Sequence, residues 1–256
     1  MTDYIARAKQ SAKRAATALA VLSGIAAAFV LAAPVSHAAV VQVGPGDSIV
    51  VEESDGYHPC TLGPYVVIDG TQFGALTAGH CGADGAPVYP TTVKCGDASC
   101  VYSKPIGTIY RPFEGKGNID NTNGYDYALV KLDKSVMTDD GRVNGVKIDG
   151  ALSLEAVSKL VDDSPNAQVC SMGRMSGYRC GTLVSATPNT GRIRVKMFSQ
   201  KGDSGGPVWV TINGESKMIG TLQGGFGEGD SSTDTLVSPL DKPVTDYGLL
   251  YLNSYG

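Results

Sequence analysis

From about residue 39 onward, apolar residues come in short bursts, interrupted roughly every eight to twelve positions by Gly, Pro, Asn or Asp. The bursts are rich in β-branched and aromatic residues. Examples are Tyr65-Val66-Val67-Ile68, Tyr127-Ala128-Leu129-Val130, Ile193-Arg194-Val195 and Val208-Trp209-Val210-Thr211-Ile212. Such residues suit a pleated, half-buried surface, so each burst predicts a strand. Asn213-Gly214 directly after the last one predicts a hairpin. Many short strands at even spacing make an all-β sandwich or barrel. Helical spacing is rare. Leu154, Val157, Leu160 and Val161 share one face of a short amphipathic helix within Ser153–Val161, near the point where two halves would join. A second helix is predicted from Lys242 to Leu252, packing through Leu249 and Leu250.

The first 38 residues follow a different pattern. Arg7, Lys9, Lys13 and Arg14 precede an uncharged run from Ala15 to Ala33, which Pro34 closes before Ser36-His37-Ala38. Basic, apolar and small-residue zones in that order make residues 1–38 a secretory signal peptide, with cleavage expected after Ala38. The run is also long enough to span a bilayer, so a retained anchor is the competing reading. With the signal removed the chain is expected to be secreted, extracellular and free of the membrane. Only residues 39–79 then precede His80, so no long pro-segment is expected.

Composition removes several classes. Of 256 residues 33 are Gly and 18% are charged, which is too apolar and varied for a disordered tail. A net charge of −4 offers no basic excess, so nucleic acid is not an expected partner. All six cysteines (Cys60, Cys81, Cys95, Cys100, Cys170 and Cys180) lie in the exported part and read as disulfides, with no pairing chosen by spacing. The acidic stretch Gly227–Asp234 lacks the spacing of a calcium loop and reads as solvated. No zinc ligand set or nucleotide-binding loop is present, so no metal or cofactor is expected.

Outside the signal, His58 and His80 are the imidazoles. His58, in Gly56-Tyr57-His58-Pro59-Cys60, reads as an exposed turn residue. His80, in Leu76-Thr77-Ala78-Gly79-His80-Cys81, stands where a strand ends and a side chain can project into a cleft. Lys201-Gly202-Asp203-Ser204-Gly205-Gly206-Pro207 is the strongest segment. Its glycines permit a tight turn that exposes the Ser204 hydroxyl and aims the Gly202 and Ser204 amides at one point, as an acyl-transfer oxyanion requires. A nucleophilic serine needs a base, and the base an orienting carboxylate. Asp126 enters the apolar run Tyr127–Val130, where an unpartnered charge is costly and an imidazole N–H is a suitable partner.

These segments resemble the chymotrypsin-like serine peptidases, in particular their compact actinobacterial, α-lytic-protease-like branch. Thr77–Cys81 matches the histidine motif, Asp126–Val130 the aspartate motif and Gly202–Pro207 the nucleophile motif. Cys170–Gly181 matches a bacterial disulfide hairpin, and Gly220–Gly225 the strand that pairs with substrate. The resemblance implies two six-stranded antiparallel β-barrels, over residues 39–145 and 146–256, with a C-terminal helix and an interbarrel active site. It implies a catalytic triad of His80, Asp126 and Ser204, an oxyanion hole of Gly202 and Ser204, and disulfides Cys60–Cys81, Cys170–Cys180 and Cys95–Cys100. By the same resemblance Phe198 occupies the base of the specificity pocket, Ser199 and Gly225 its walls, and Gln223 and Gly224 the substrate strand. With no carboxylate at Phe198, a neutral or apolar P1 residue is expected, although Asp234 lies close by. The expected partners are protein or peptide substrates, and the expected state is a monomer. A catalytically silent member of the fold, serving as a binding module or adhesin, is the alternative.

The start Ala39-Val40-Val41-Gln42 does not match the terminus that activates animal relatives by pairing with the aspartate before the nucleophile. Asp203 therefore needs another partner or water. The position where bacterial relatives often carry an arginine is Ser171, so Arg174 or Arg179 is the candidate substitute.

Overall fold

The computed structural model describes residues 41–68, 70–91, 104–114, 124–138, 140–225 and 230–251. The expected signal segment, Cys95 and Cys100 lie outside the described residues.

The first half contributes β1 (Gln42–Val43), β2 (Ser48–Glu53), β3 (Gly56–Thr61), β4 (Tyr65–Ile68), β5 (Gln72–Thr77), β6 (Pro87–Pro90), β7 (Gly107–Glu114), β8 (Asp126–Leu132) and β9 (Met137–Thr138). Helix α1 (Leu154–Asp163) then leads into β10 (Gln168–Gly173), β11 (Gly177–Thr187), β12 (Arg192–Lys196), β13 (Ser199–Gln200), β14 (Pro207–Ile212), β15 (Glu215–Gly225), β16 (Ser231–Ser232) and β17 (Thr235–Pro239). The chain finishes with α2 (Asp241–Tyr247) and β18 (Leu249–Tyr251).

The second half closes into a six-stranded barrel in the order β10-β11-β12-β17-β15-β14. Seven strands of the first half and the C-terminal β18 form an eight-stranded sheet, β18-β4-β5-β8-β7-β6-β2-β3. Asn213 and Gly214 make the turn of the β14–β15 hairpin, as the sequence predicts. Helix α1 starts where predicted: the Ser153 hydroxyl caps it by accepting from Ala156 N–H at 3.2 Å, and Leu154 and Val157 are buried. The terminal helix is shorter than predicted. It ends at Tyr247, Gly248 takes a left-handed conformation at φ +62°, and Leu249–Tyr251 pairs with β4 instead. An open edge on β4 offers backbone hydrogen bonds that a further helical turn cannot use.

Burial falls into three clusters. One fills the first sheet around Ile49, Leu62, Ile106 and Val130, and another fills the closed barrel around Ile193, Val208, Ile219 and Leu222. The third joins the halves: Leu76, Tyr127 and Leu129 meet Trp209, Leu240, Tyr247 and Leu249. That shared core holds the two halves, and the loops above it, in one arrangement.

Candidate active site

The β5–β8 register brings His80 to Asp126. Thr77 pairs with Ala128, so the chain leaving β5 passes the first residue of β8. There Gly79–Cys81 makes one 3₁₀ turn. A side chain on Gly79 would lie 2.2 Å from the Phe113 carbonyl oxygen and 2.9 Å from Asp126 Oδ1, so only glycine permits this approach. Asp126 is 1% exposed and bonded twice to one residue: His80 N–H donates to Oδ1 at 3.0 Å, and His80 Nδ1 lies 2.6 Å from Oδ2. That contact leaves Nε2 as the ring nitrogen available to the cleft. Burial on its own disfavours a charged ring. The hydrogen bond and charge of Asp126, with the charge of Glu114, outweigh it and raise His80 above its ordinary 6.5.

Ser204 lies on the turn between β13 and β14. Gly205 follows at φ +89°, where a side chain would strike Thr77 Oγ1 at 2.1 Å and the Thr61 carbonyl oxygen at 2.5 Å. The turn is tied to its surroundings on both sides: Thr61 N–H donates to the Ser204 carbonyl at 2.8 Å, and Gly205 N–H to that of Leu222 at 2.7 Å. Among the described residues, the Gly202 and Ser204 N–H groups have no acceptor, while the intervening Asp203 N–H is spent on the Gln200 carbonyl at 3.0 Å. The Ser204 hydroxyl is directed to the Gln223 carbonyl at 3.4 Å and makes no hydrogen bond to His80. Gln223 is the extra residue of a bulge between Leu222 and Gly224 in the β15–β17 pairing, a device that re-aims backbone beside active sites.

Asp203, fully buried, has the partners that the sequence leaves open. Met175 and Ser176 N–H donate to Oδ1 at 2.8 and 3.0 Å. Gln200 N–H donates to Oδ2 at 2.8 Å, and the Ser176 hydroxyl donates to the same oxygen. Of the two candidate arginines it is Arg174 whose charge is coupled to Asp203. Burial lowers the Arg174 pKa, and the Asp203 charge opposes that. Arg179 is exposed and bonds the carbonyl of Tyr178.

His80, Ser204, Ser199, Gln223, Gly224 and Gly225 open onto one cleft of about 240 Å³, together with Gln200, Lys201 and Asp230–Ser232. Phe198 is half-buried and not among the lining residues. Ser199 is held from behind, 2.9 Å from Thr235 Oγ1. Asp234 is engaged by Arg194, whose Nε donates to Oδ1 at 2.7 Å. His58 belongs to β3 rather than a turn; its ring is 41% exposed and bonds Asp55 at 3.0 Å. Cys60–Cys81 and Cys170–Cys180 are disulfides. Cys60 and Cys81 lie within 4.8 Å of His80 but, being oxidised, offer no thiolate to a metal.

Sequence reasoning missed three hydroxyls. Thr61 Oγ1 donates to the Gly202 carbonyl at 2.9 Å and accepts from Arg174 N–H at 3.0 Å. Ser176 holds Asp203, and Ser238 Oγ accepts from Asp126 N–H at 3.0 Å. No local motif marks any of them.

No protein-family profile matches the chain. Streptogrisin-C of Streptomyces griseus is 30% identical over 226 residues, 85% of this chain and 43% of that protein. The chain thus spans less than half the length of that relative. An uncharacterized protein of Mycobacterium tuberculosis is 30% identical over 173 residues, covering 66% of this chain and 71% of that one. The crystal structure of Thermobifida fusca protease A matches with a TM-score of 0.56 at 24% identity, over 83% of this chain and all of that one. With the closed barrel, its companion eight-stranded sheet and these relatives together, the chain belongs to the chymotrypsin-like serine peptidase family.

Proposed function

We propose that this protein is an exported serine endopeptidase working through an acyl-enzyme on Ser204. The observation that carries the reading is the buried Asp126 carboxylate, which holds His80 by ring and backbone while the free edge of that ring opens onto the cleft that Ser204 also lines. In this reading Ser204 Oγ attacks the scissile carbonyl, and His80 Nε2 takes the hydroxyl proton and later delivers it to the leaving amine. Asp126 fixes the tautomer and steadies the imidazolium. The unengaged Gly202 and Ser204 amides receive the oxyanion. Residues 39–145 supply the base and its carboxylate, and residues 146–256 supply the nucleophile. All of these groups come from one chain, so a monomer suffices. Two disulfides fit an oxidising, extracellular compartment.

A neutral P1 side chain suits the cleft. Ser199, Ser232 and Gly225 present no net charge, the charges of Lys201 and Asp230 oppose each other, and Asp234 is engaged by Arg194. A peptide library read by mass spectrometry checks this: neutral P1 residues are expected, and a strict Lys or Arg preference would overturn it.

The second reading, a silent fold used for binding, draws on the Ser204 hydroxyl facing Gln223 instead of His80. At 3.4 Å that bond is long for O–H···O and readily exchanged, and catalytic contacts often tighten only around substrate. Casein hydrolysis decides. The enzyme reading expects turnover that Ser204→Ala lowers by about a millionfold; absence of turnover by the folded, disulfide-bonded protein favours the silent reading.

A further inference from the structure

We propose that Ser238 is a positioning residue for the Asp126–His80 pair: its hydroxyl oxygen, presented by β17 of the closed barrel, sets the backbone of Asp126 where β8 begins. The inference rests on the triad reading above and extends it across the interface of the two halves.

Asp126 opens its strand, where the ladder constrains a residue least, and the β7–β8 pairing beside it carries a register shift between Tyr110 and Phe113. Both carboxylate oxygens are committed to His80. The Asp126 N–H is the group held from the other half, by Ser238 Oγ at 3.0 Å across 112 residues of sequence, and both residues are 1% exposed. Ser238 is itself held within the barrel, paired with Thr221 of β15. Three residues earlier on β17, Thr235 Oγ1 donates to the Met197 carbonyl at 2.7 Å and lies 2.9 Å from Ser199 Oγ. One strand therefore backs the cleft wall at Ser199 and also fixes the carboxylate that orients the base. Moving Asp126 by a fraction of an ångström would turn the His80 ring without removing any reacting group.

The test uses three variants of the full chain: Ser238→Ala, Ser238→Cys, which nearly keeps the volume but accepts poorly, and Ser238→Thr, which keeps the oxygen. With a peptide substrate, kcat should fall roughly ten- to a hundredfold in the Ala and Cys variants, the scale expected of a misplaced catalytic group. KM should stay within about twofold, because no binding contact is removed. Thr should recover most of the loss. The strongly deshielded proton resonance of His80 Nδ1–H should shift in the Ala and Cys variants and return in Thr, a change that general destabilisation would not produce. Folded Ala and Cys variants with wild-type kcat and an unmoved resonance would overturn the proposal; the Cys variant decides alone if Ala does not fold. Failure of the triad reading looks different. The wild-type protein would then not turn over at all, while the resonance would still respond to Ser238.

Discussion

Two buried aspartates serve the proposed site, and they are put to opposite uses. Asp126 and Asp203 are equally buried, at 1% and 0% exposed. Asp126 faces an imidazole that is 36% exposed, whose charge can change and whose protonation the carboxylate favours. Asp203 faces three backbone N–H groups and the Ser176 hydroxyl, donors that do not titrate near neutral pH. The same side chain is therefore an electrostatic control in one place and a structural clamp in the other. What separates the roles is whether a partner can give up its proton.

The comparison predicts different failures for the same substitution. Asp126→Asn should keep the fold and lower kcat by about 10⁴, since an amide stabilises the wrong tautomer of His80; steady-state kinetics with a thermal melt check both halves of that statement. Asp203→Asn should act on stability first. On either side it turns an NH₂ toward at least one backbone N–H, which can only donate, and about 2–4 kcal/mol should be lost in denaturant titration. Next in size, removing the Cys170–Cys180 crosslink, which spans 10 residues, should cost about 2–3 kcal/mol by the same measurement.

The pH dependence sharpens the contrast further. In the proposed mechanism the active base is neutral His80, and Asp126 and Glu114 favour its protonated form. The rising limb of kcat/KM should therefore have its midpoint above the ordinary 6.5, and Glu114→Gln should move it to lower pH. No substitution at Ser176 should move that limb, because Ser176 acts on the other aspartate. The smallest effect is expected on the surface: breaking the exposed Lys159–Glu155 pair should change stability by less than about 0.5 kcal/mol.

Much of the framework is legible because it is local. Alternation and turn residues mark β4, β8, β12 and β14, and the helical spacing after Ser153 marks α1. The segments proposed as catalytic are legible for a similar reason: each packs its requirements into a few consecutive residues. The sequence overextends the terminal helix because Leu249 and Leu250 satisfy helical spacing equally well, and only the vacant edge of β4 decides for a strand. Phe198 shows a different limit. Counting back from Ser204 gives a position along the backbone, and Phe198 is not among the residues that line the cleft. Thr61, Ser176 and Ser238 were illegible because each works through one hydroxyl on a partner 27 to 141 residues away.

The most direct test is covalent labelling by a fluorophosphonate probe, followed across pH and read by peptide mapping. A working base predicts one adduct, on Ser204, forming at a rate that rises with pH through a midpoint above 6.5 and collapses in Asp126→Asn and His80→Ala. An unlabelled Ser204 in the folded wild-type protein, or labelling that proceeds at the same rate without His80, would contradict the account.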